Sequence, residues 1–222
     1  MKESEMRWLL AASLVLAMCM APQTTAKDLS GLAEQMRESI TRIRMTGPGV
    51  RWGTCSACSI NQERGWGLTA EHCVVTVDGF EFRVVDDRTR PLSIVARSST
   101  IFPPRPEDDL ALLEGDIFRE LPALTALTVV PKIGTVVASY GVARGERNPF
   151  FYVSNVARTR PRWFSLEMSG SVLGGMSGAP VVNADAQVIG VVTKGTASNT
   201  YIIGSWHFQE LYKAALKQHE DQ

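Results

Sequence analysis

The sequence predicts an all-β protein built as two small barrels, with a helix near each end. Three observations carry this. Short runs rich in β-branched and aromatic residues recur between residues 39 and 204, separated by turn residues. About six such runs precede residues 116–125, which have no strand pattern, and about six follow. Apolar residues recur at helical spacing just before the first run and again at the C-terminus.

In chain order, residues 1–26 read as a signal peptide. Residues 8–21 are apolar apart from Ser13, a length that suits a signal-peptide core better than a membrane span. Small residues, "TTA" at 24–26, follow where a signal peptidase cuts. Lys2 and Arg7 supply positive charge, offset by Glu3 and Glu5. The expected location is secreted or periplasmic. The alternatives are an anchor through this same segment, or a lipid on Cys19 in "LAMC", where Met18 is large for such a motif. Leu29, Leu32, Met36 and Ile40 then mark an N-terminal helix over residues 27–38 that gives way to strand. "TGPG" at 46–49 is a turn.

The first barrel, residues 39–118, takes its strands from 39–45 and from "RWGTCSACSI", "GWGLTA", "FEFRVVD", "PLSIVARS" and "DLALLEG". "PPRP" at 103–106 is a rigid loop, and residues 116–125 read as a linker. The second barrel, residues 119–205, takes "GTVVASYG", "PFFYVSNVA", "RWFSLEM", "APVVN", "QVIGVVTKG" and "NTYIIGS". No internal sequence repeat accompanies the two sets. In the C-terminal helix, residues 206–222, Phe208, Leu211, Tyr212, Ala215 and Leu216 share one face. Its polar face mixes Glu210, Lys213, Lys217 and Glu220, which suits packing on a barrel better than lying on a membrane.

The 222 residues carry 23 Lys+Arg against 23 Asp+Glu, a balance that argues against a general nucleic-acid binder. Hydrophobic residues make up 45%, enough to bury a core. Export would let cysteines oxidise. Cys55, Cys58 and Cys73 would then give one pair and one free thiol.

Three short contexts carry chemistry. His72 stands in "LTAEHCV" at the end of a strand pattern, whereas His207 and His219 fall on the C-terminal helix. Asp109 opens the apolar run "DLALL", where a carboxylate drawn towards low dielectric needs a partner. Glu107 and Asp108 read as exposed acids at the strand start. Ser177 stands in "GGMSGAP", whose glycines permit unusual backbone and close approach of a substrate. The N–H groups of Gly175 and Ser177, if both aim inward, form an anion-stabilising pocket. Each context has a plain structural reading alone. Together they supply a nucleophile, a base and an acid to orient the base, which is what a serine needs to react at neutral pH.

In the order His, Asp, Ser, "LTAEHC", "DLALL" and "GxSGxP" resemble the trypsin/chymotrypsin-like serine peptidase family. "VIGVVTKG" at 188–195 resembles that family's strand along the primary specificity pocket. The resemblance covers about residues 39–216. It implies two six-stranded antiparallel barrels and a serine endopeptidase of peptide substrates, needing no cofactor. It implies catalytic His72, Asp109 and Ser177, with the Gly175 and Ser177 N–H groups as oxyanion hole. Thr193, Lys194 and Gly195 would bind substrate as an added strand. Ser171 would lie near the pocket floor with Val172 beside it. No acid stands there, so a small or medium apolar substrate residue is expected; Lys194 alternatively favours an acidic one. The resemblance also implies a disulfide from Cys73 to Cys58 or to Cys55.

Met176 departs from the digestive and clotting branch, which has an aspartate before the nucleophile to pair with a new N-terminus. Methionine cannot form that ion pair, so the enzyme is expected to be active as folded. The resemblance is therefore closer to compact bacterial and viral members, including the high-temperature-requirement type. The short interval from Asp109 to Ser177 agrees, and no partner-binding domain is expected after the last helix. Two competing functions are a non-catalytic binding protein on the same fold and an esterase with the same triad. A zinc site from Cys55, Cys58, His72 and Cys73 is disfavoured because adjacent His72 and Cys73 are an awkward pair for a tetrahedral ion. No metal is expected.

Overall fold

Twelve strands form two closed barrels, which a computed structural model describes over residues 29–47, 49–76, 79–101, 109–127, 129–143, 149–160, 165–196, 198–204 and 207–220. The segment 1–26 with Cys19, the loop 103–106, Glu107 and Asp108 lie outside the described residues. Helix α1 (Ser30–Ser39) leads without a loop into β1 (Ile40–Gly47), because Ile40 already has extended backbone. Then come β2 (Val50–Asn61), β3 (Trp66–Thr69), β4 (Arg83–Asp86), β5 (Pro91–Arg97), the short helix α2 (Ser98–Ile101) and β6 (Ala111–Glu114). Helix α3 (Asp116–Glu120) follows, then β7 (Val136–Gly141), β8 (Phe150–Arg160), β9 (Ser165–Ser169), β10 (Pro180–Val182), β11 (Val188–Gly195), β12 (Asn199–Gly204) and α4 (Phe208–Glu220).

The first barrel closes in the order β1-β2-β3-β6-β5-β4 and the second in the order β7-β8-β9-β12-β11-β10. Each neighbouring pair is antiparallel. The two barrels thus share one strand order although their sequences share no repeat. Strand alternation explains this. A barrel needs an apolar residue at every second position, not a particular one.

Each barrel has its own interior. Ile43, Val84, Leu113 and Phe118 fill the first, and Val156, Met168, Ile189 and Ile202 fill the second. A third cluster lies between them and joins Met36 of α1, Leu68, Leu112, Val188 and Leu211 of α4. α4 follows the second barrel in sequence but packs on β5 and β6 of the first. Tyr212 meets Trp66 edge-on with centroids 5.2 Å apart, and its hydroxyl accepts a hydrogen bond from Asn61 Nδ2 at 2.6 Å. The chain therefore straps the two barrels together.

One expectation is corrected. Residues 116–125 are not plain linker, because α3 sits at their start and buries Ile117 and Phe118. Phe118 occupies the space beside Gly67, where a Cβ would lie 2.1 Å from its ring. A five-residue helix is too short to show a period. Of the two pairings left open for Cys73, the structure selects one. Cys55, not Cys58, forms the disulfide with Cys73, with Cα atoms 6.1 Å apart. Cys55 and Cys58 are three apart on β2, so their side chains leave opposite faces. Cys55 pairs with Ile43 and faces the first barrel's interior. Cys58 pairs with Ile40 and Leu68 and faces the cluster between the barrels. It is a free, buried thiol whose pKa burial pushes up to about 12, so it is not a reactive nucleophile at neutral pH.

The disulfide closes a short loop, with a sequence separation of 18. Replacing both Cys55 and Cys73 with alanine is expected to lower unfolding stability by about 2–4 kcal/mol. Urea denaturation checks this, and the same reductant added to both proteins should destabilise only the wild type.

Candidate active site

β3 ends at Thr69, and a single 3₁₀ turn (Glu71–Cys73) follows, so His72 leaves the barrel wall. The turn buries Glu71 and Cys73 and leaves His72 outward, its side chain 44% exposed. Asp109 comes from the mouth of β6 and reaches His72 twice. Asp109 Oδ2 lies 2.8 Å from His72 Nδ1, and Oδ1 accepts the His72 backbone N–H at 2.8 Å. An ionised carboxylate only accepts, so Nδ1 carries the proton in this pair and Nε2 is left with its lone pair. Burial draws the imidazole pKa down, but the hydrogen bond and charge of Asp109 outweigh it. The pKa lies above its ordinary value of 6.5.

Ser177 comes from the other barrel, in the loop before β10. Met176 N–H donates to Leu173 O at 3.2 Å, and Gly175 has φ +97 in the turn so formed. Met176 is 1% exposed, its side chain inserted into the second barrel among Val137, Ala179 and Val192. This anchors the loop without an ion pair. The next anchor crosses between barrels. Ser56 of β2 donates its N–H to Ser177 O at 2.8 Å. Its hydroxyl accepts from Val142 N–H at 3.0 Å and lies 3.5 Å from Gly175 O. Ser56 O in turn accepts from the Thr69 hydroxyl at 2.8 Å, just before the His72 turn.

Gly178 shows how close the approach is. Its φ is +80, and a Cβ there would lie 2.2 Å from both Ser56 O and Thr69 Oγ1 and 3.0 Å from Ala70 N. The Ser177 loop therefore presses against the segment that leads into His72. Gly178→Ala is expected to cost about 2–4 kcal/mol, from strained backbone and overpacking together. It should also remove most activity by pushing the loop off β3. Thermal unfolding and a peptidase assay check the two effects.

These two segments are also where the chain matches a known family. The family described as trypsin-like peptidase domain matches residues 53–191, well over half of the chain, from β2 to β11. The chain belongs to the trypsin-like peptidase family. No curated protein matches it in sequence. Among solved structures it is similar to the serine endoprotease from Yersinia pestis, with a TM-score of 0.62 and 18% identity. That alignment covers 83% of this chain and 66% of the other, and at such identity the likeness is one of fold.

Of the remaining predicted residues, Ser171 and Gly195 lie near one another. Ser171 is exposed, and with Val172 it lines up against Gly195, where a Cβ would lie 3.3 Å from Val172 O and 3.6 Å from Ser171 Oγ. Buried Thr200 holds that segment to β12. Its hydroxyl accepts Val172 N–H at 3.1 Å and donates to Gly170 O at 2.9 Å. Thr193 is the extra residue of a bulge, since Val192 pairs with Ile202 and Lys194 with Tyr201. β10 pairs with β11 only to Val191, and Gly178 and Ala179 extend the contact to Val192. Beyond it, at Thr193, Lys194 and Gly195, that edge of β11 has no strand partner among the described residues.

The residues weighed for zinc do not form a ligand set. Cys55, His72 and Cys73 place donor atoms within 4.8 Å of one another, but both sulfurs are joined and Cys58 faces away. Sequence reasoning missed Ser56, Thr200 and Glu71. Ser56 and Thr200 leave no signal in the sequence, being small polar residues within strands. Glu71 does leave one, an acid within the otherwise uncharged run "GLTAEHC".

Proposed function

We propose that this peptidase is an exported serine endopeptidase acting through an acyl-enzyme, with Ser177 as nucleophile, His72 as general base and Asp109 as its orienter. The observation that carries the reading is the pair of 2.8 Å contacts from Asp109 to His72, which leave Nε2 free to take a proton. Ser177 Oγ attacks the substrate carbonyl while Nε2 accepts the hydroxyl proton. The resulting imidazolium then protonates the leaving amine, and water repeats the sequence to release the acid. Asp109 holds Nδ1–H throughout and stabilises the charged ring. The N–H groups of Gly175 and Ser177 stabilise the oxyanion, and among the described residues neither donates to a protein acceptor.

The substrate strand adds to the open edge of β11 at Thr193, Lys194 and Gly195, while its side chain enters beside Ser171 and Val172. With Met176 already seated in the second barrel, no activating cleavage is needed. Export is supported by the apolar segment 8–21 and by the Cys55–Cys73 disulfide. Among the described residues no helix is long and apolar enough to cross a membrane.

A fluorophosphonate probe tests the assignment, because it labels only an activated serine. The expected result is one label on the wild type and none on Ser177→Ala. Equal labelling of both, or of neither, would remove Ser177 as nucleophile.

A further inference from the structure

We propose that Glu71 is a positioning residue for His72 and Asp109, acting as a clamp that fixes the base of the loop delivering Asp109. The inference rests on the reading of His72 and Asp109 given above. Glu71 is 5% exposed, and among the described residues no cation pairs with it. A buried carboxylate without a cation is retained only where hydrogen-bond donors replace water. Here three do. The Ser98 hydroxyl donates to Oε2 at 3.0 Å, and the Ser99 N–H donates to Oε2 at 2.9 Å. The Ser99 hydroxyl donates to Oε1.

The place of these donors gives the carboxylate its role. Ser98 N–H donates to Leu110 O at 2.9 Å, and Ser98 Oγ accepts Leu110 N–H at 2.9 Å. Ser98 and Leu110 therefore close the neck of the segment 99–109, with Asp109 next to that neck. Glu71 precedes His72 directly, and His72 bonds Asp109 through its backbone and its ring. Glu71, Ser98, Leu110, Asp109 and His72 form a closed ring of covalent and hydrogen bonds. Ser98 and Leu110 are 0% and 1% exposed, so water does not compete for the links. Cutting the ring at Glu71 leaves Asp109 and His72 joined only by the contacts that must stay in register for catalysis. A displacement of about 1 Å at such a contact costs on the order of 10²-fold.

The test compares wild type with Glu71→Ala and with Glu71→Gln, which keeps the volume and one acceptor. Two quantities are read. Kinetics should show kcat lower by about 10- to 100-fold with KM little changed. NMR titration of the His72 ring, in the Ser177→Ala protein with and without the Glu71 change, should show its pKa falling. Only three histidines need assignment. Asp109 is the titratable group bonded to the ring, and nearby Cys55 and Cys73 are held in the disulfide. A clamp that merely stabilised the fold would lower the melting temperature and leave the His72 titration where it was. If Glu71→Ala does not fold, Glu71→Gln decides. An unchanged His72 titration with unchanged kcat in Glu71→Gln overturns the proposal. The titration needs no turnover, so it tests the clamp even if Ser177 proves not to be the nucleophile.

Discussion

Ser177→Ala is expected to lower kcat for peptide hydrolysis by about 10⁶-fold, with little change in KM or melting temperature. The size follows from what the hydroxyl does. Without it no acyl-enzyme forms, and the base has no proton to accept. What remains is water attacking a carbonyl held in the oxyanion pocket, a residual typically worth about 10³–10⁴ over solution. Stability should survive because the loop is held by its backbone and its neighbours. Ser56 N–H bonds the Ser177 carbonyl, Gly178 N–H bonds Val192 O at 2.7 Å, and Met176 fills the barrel. None of these uses the hydroxyl. Single-turnover assays with enzyme in excess give the measurement, and activity within about tenfold of wild type would sink the mechanism.

Asp109→Asn is expected to cost about 10⁴-fold in kcat, and to move the pH profile. Asparagine has one acceptor oxygen where Asp109 uses two. If that oxygen keeps the His72 backbone N–H, the amide donor faces Nδ1. The ring must then carry its proton on Nε2, where it cannot accept one from Ser177. The sign of the pH effect follows from the causes of the His72 shift. The proposed mechanism needs neutral His72, and Asp109 raises its pKa against the opposing pull of burial. The acid limb of the wild type should therefore lie above pH 6.5. In Asp109→Asn only burial remains, so the limb should move to lower pH. Stability runs the other way. A raised folded-state pKa means the protonated pair stabilises the fold fully below the unfolded value of about 6.5, and that contribution is lost as pH rises through the folded value. With the ring 44% exposed, solvent screens the pair and keeps the contribution small. A kcat/KM profile of both proteins checks the limb, and identical limbs would mean that Asp109 does not tune His72.

How far the site was legible differs residue by residue. His72, Asp109 and Ser177 each stand in a short motif whose local chemistry is unusual: a histidine after a strand, an acid before one, a serine among glycines. Glu71 is equally visible in sequence but carries no sign of its role, because its partners Ser98 and Ser99 are ordinary residues in a distant segment. The choice between Cys55 and Cys58 turned on strand parity, which is known only once β2 has a register against β1. The helix at 116–120 was hidden by its length. α4 showed its apolar face in the sequence, but not that its partner would be the barrel more distant in the chain.

The sequence by itself determined the strand count, the order of His72, Asp109 and Ser177 and the lack of an aspartate before Ser177, because local patterning and residue chemistry are properties of short windows. The tertiary structure alone decided how the site is held: Met176 in the second barrel, Ser56 reaching across from the first, Gly178 pressed against Thr69 and Ala70, and Glu71 closing a ring with Ser98. Those contacts join residues far apart in the chain, and their partners are small or common side chains. Packing the two barrels face to face brings Ser56 and Gly178 to their partners, while the folding of a single barrel seats Met176 and joins Glu71 to Ser98.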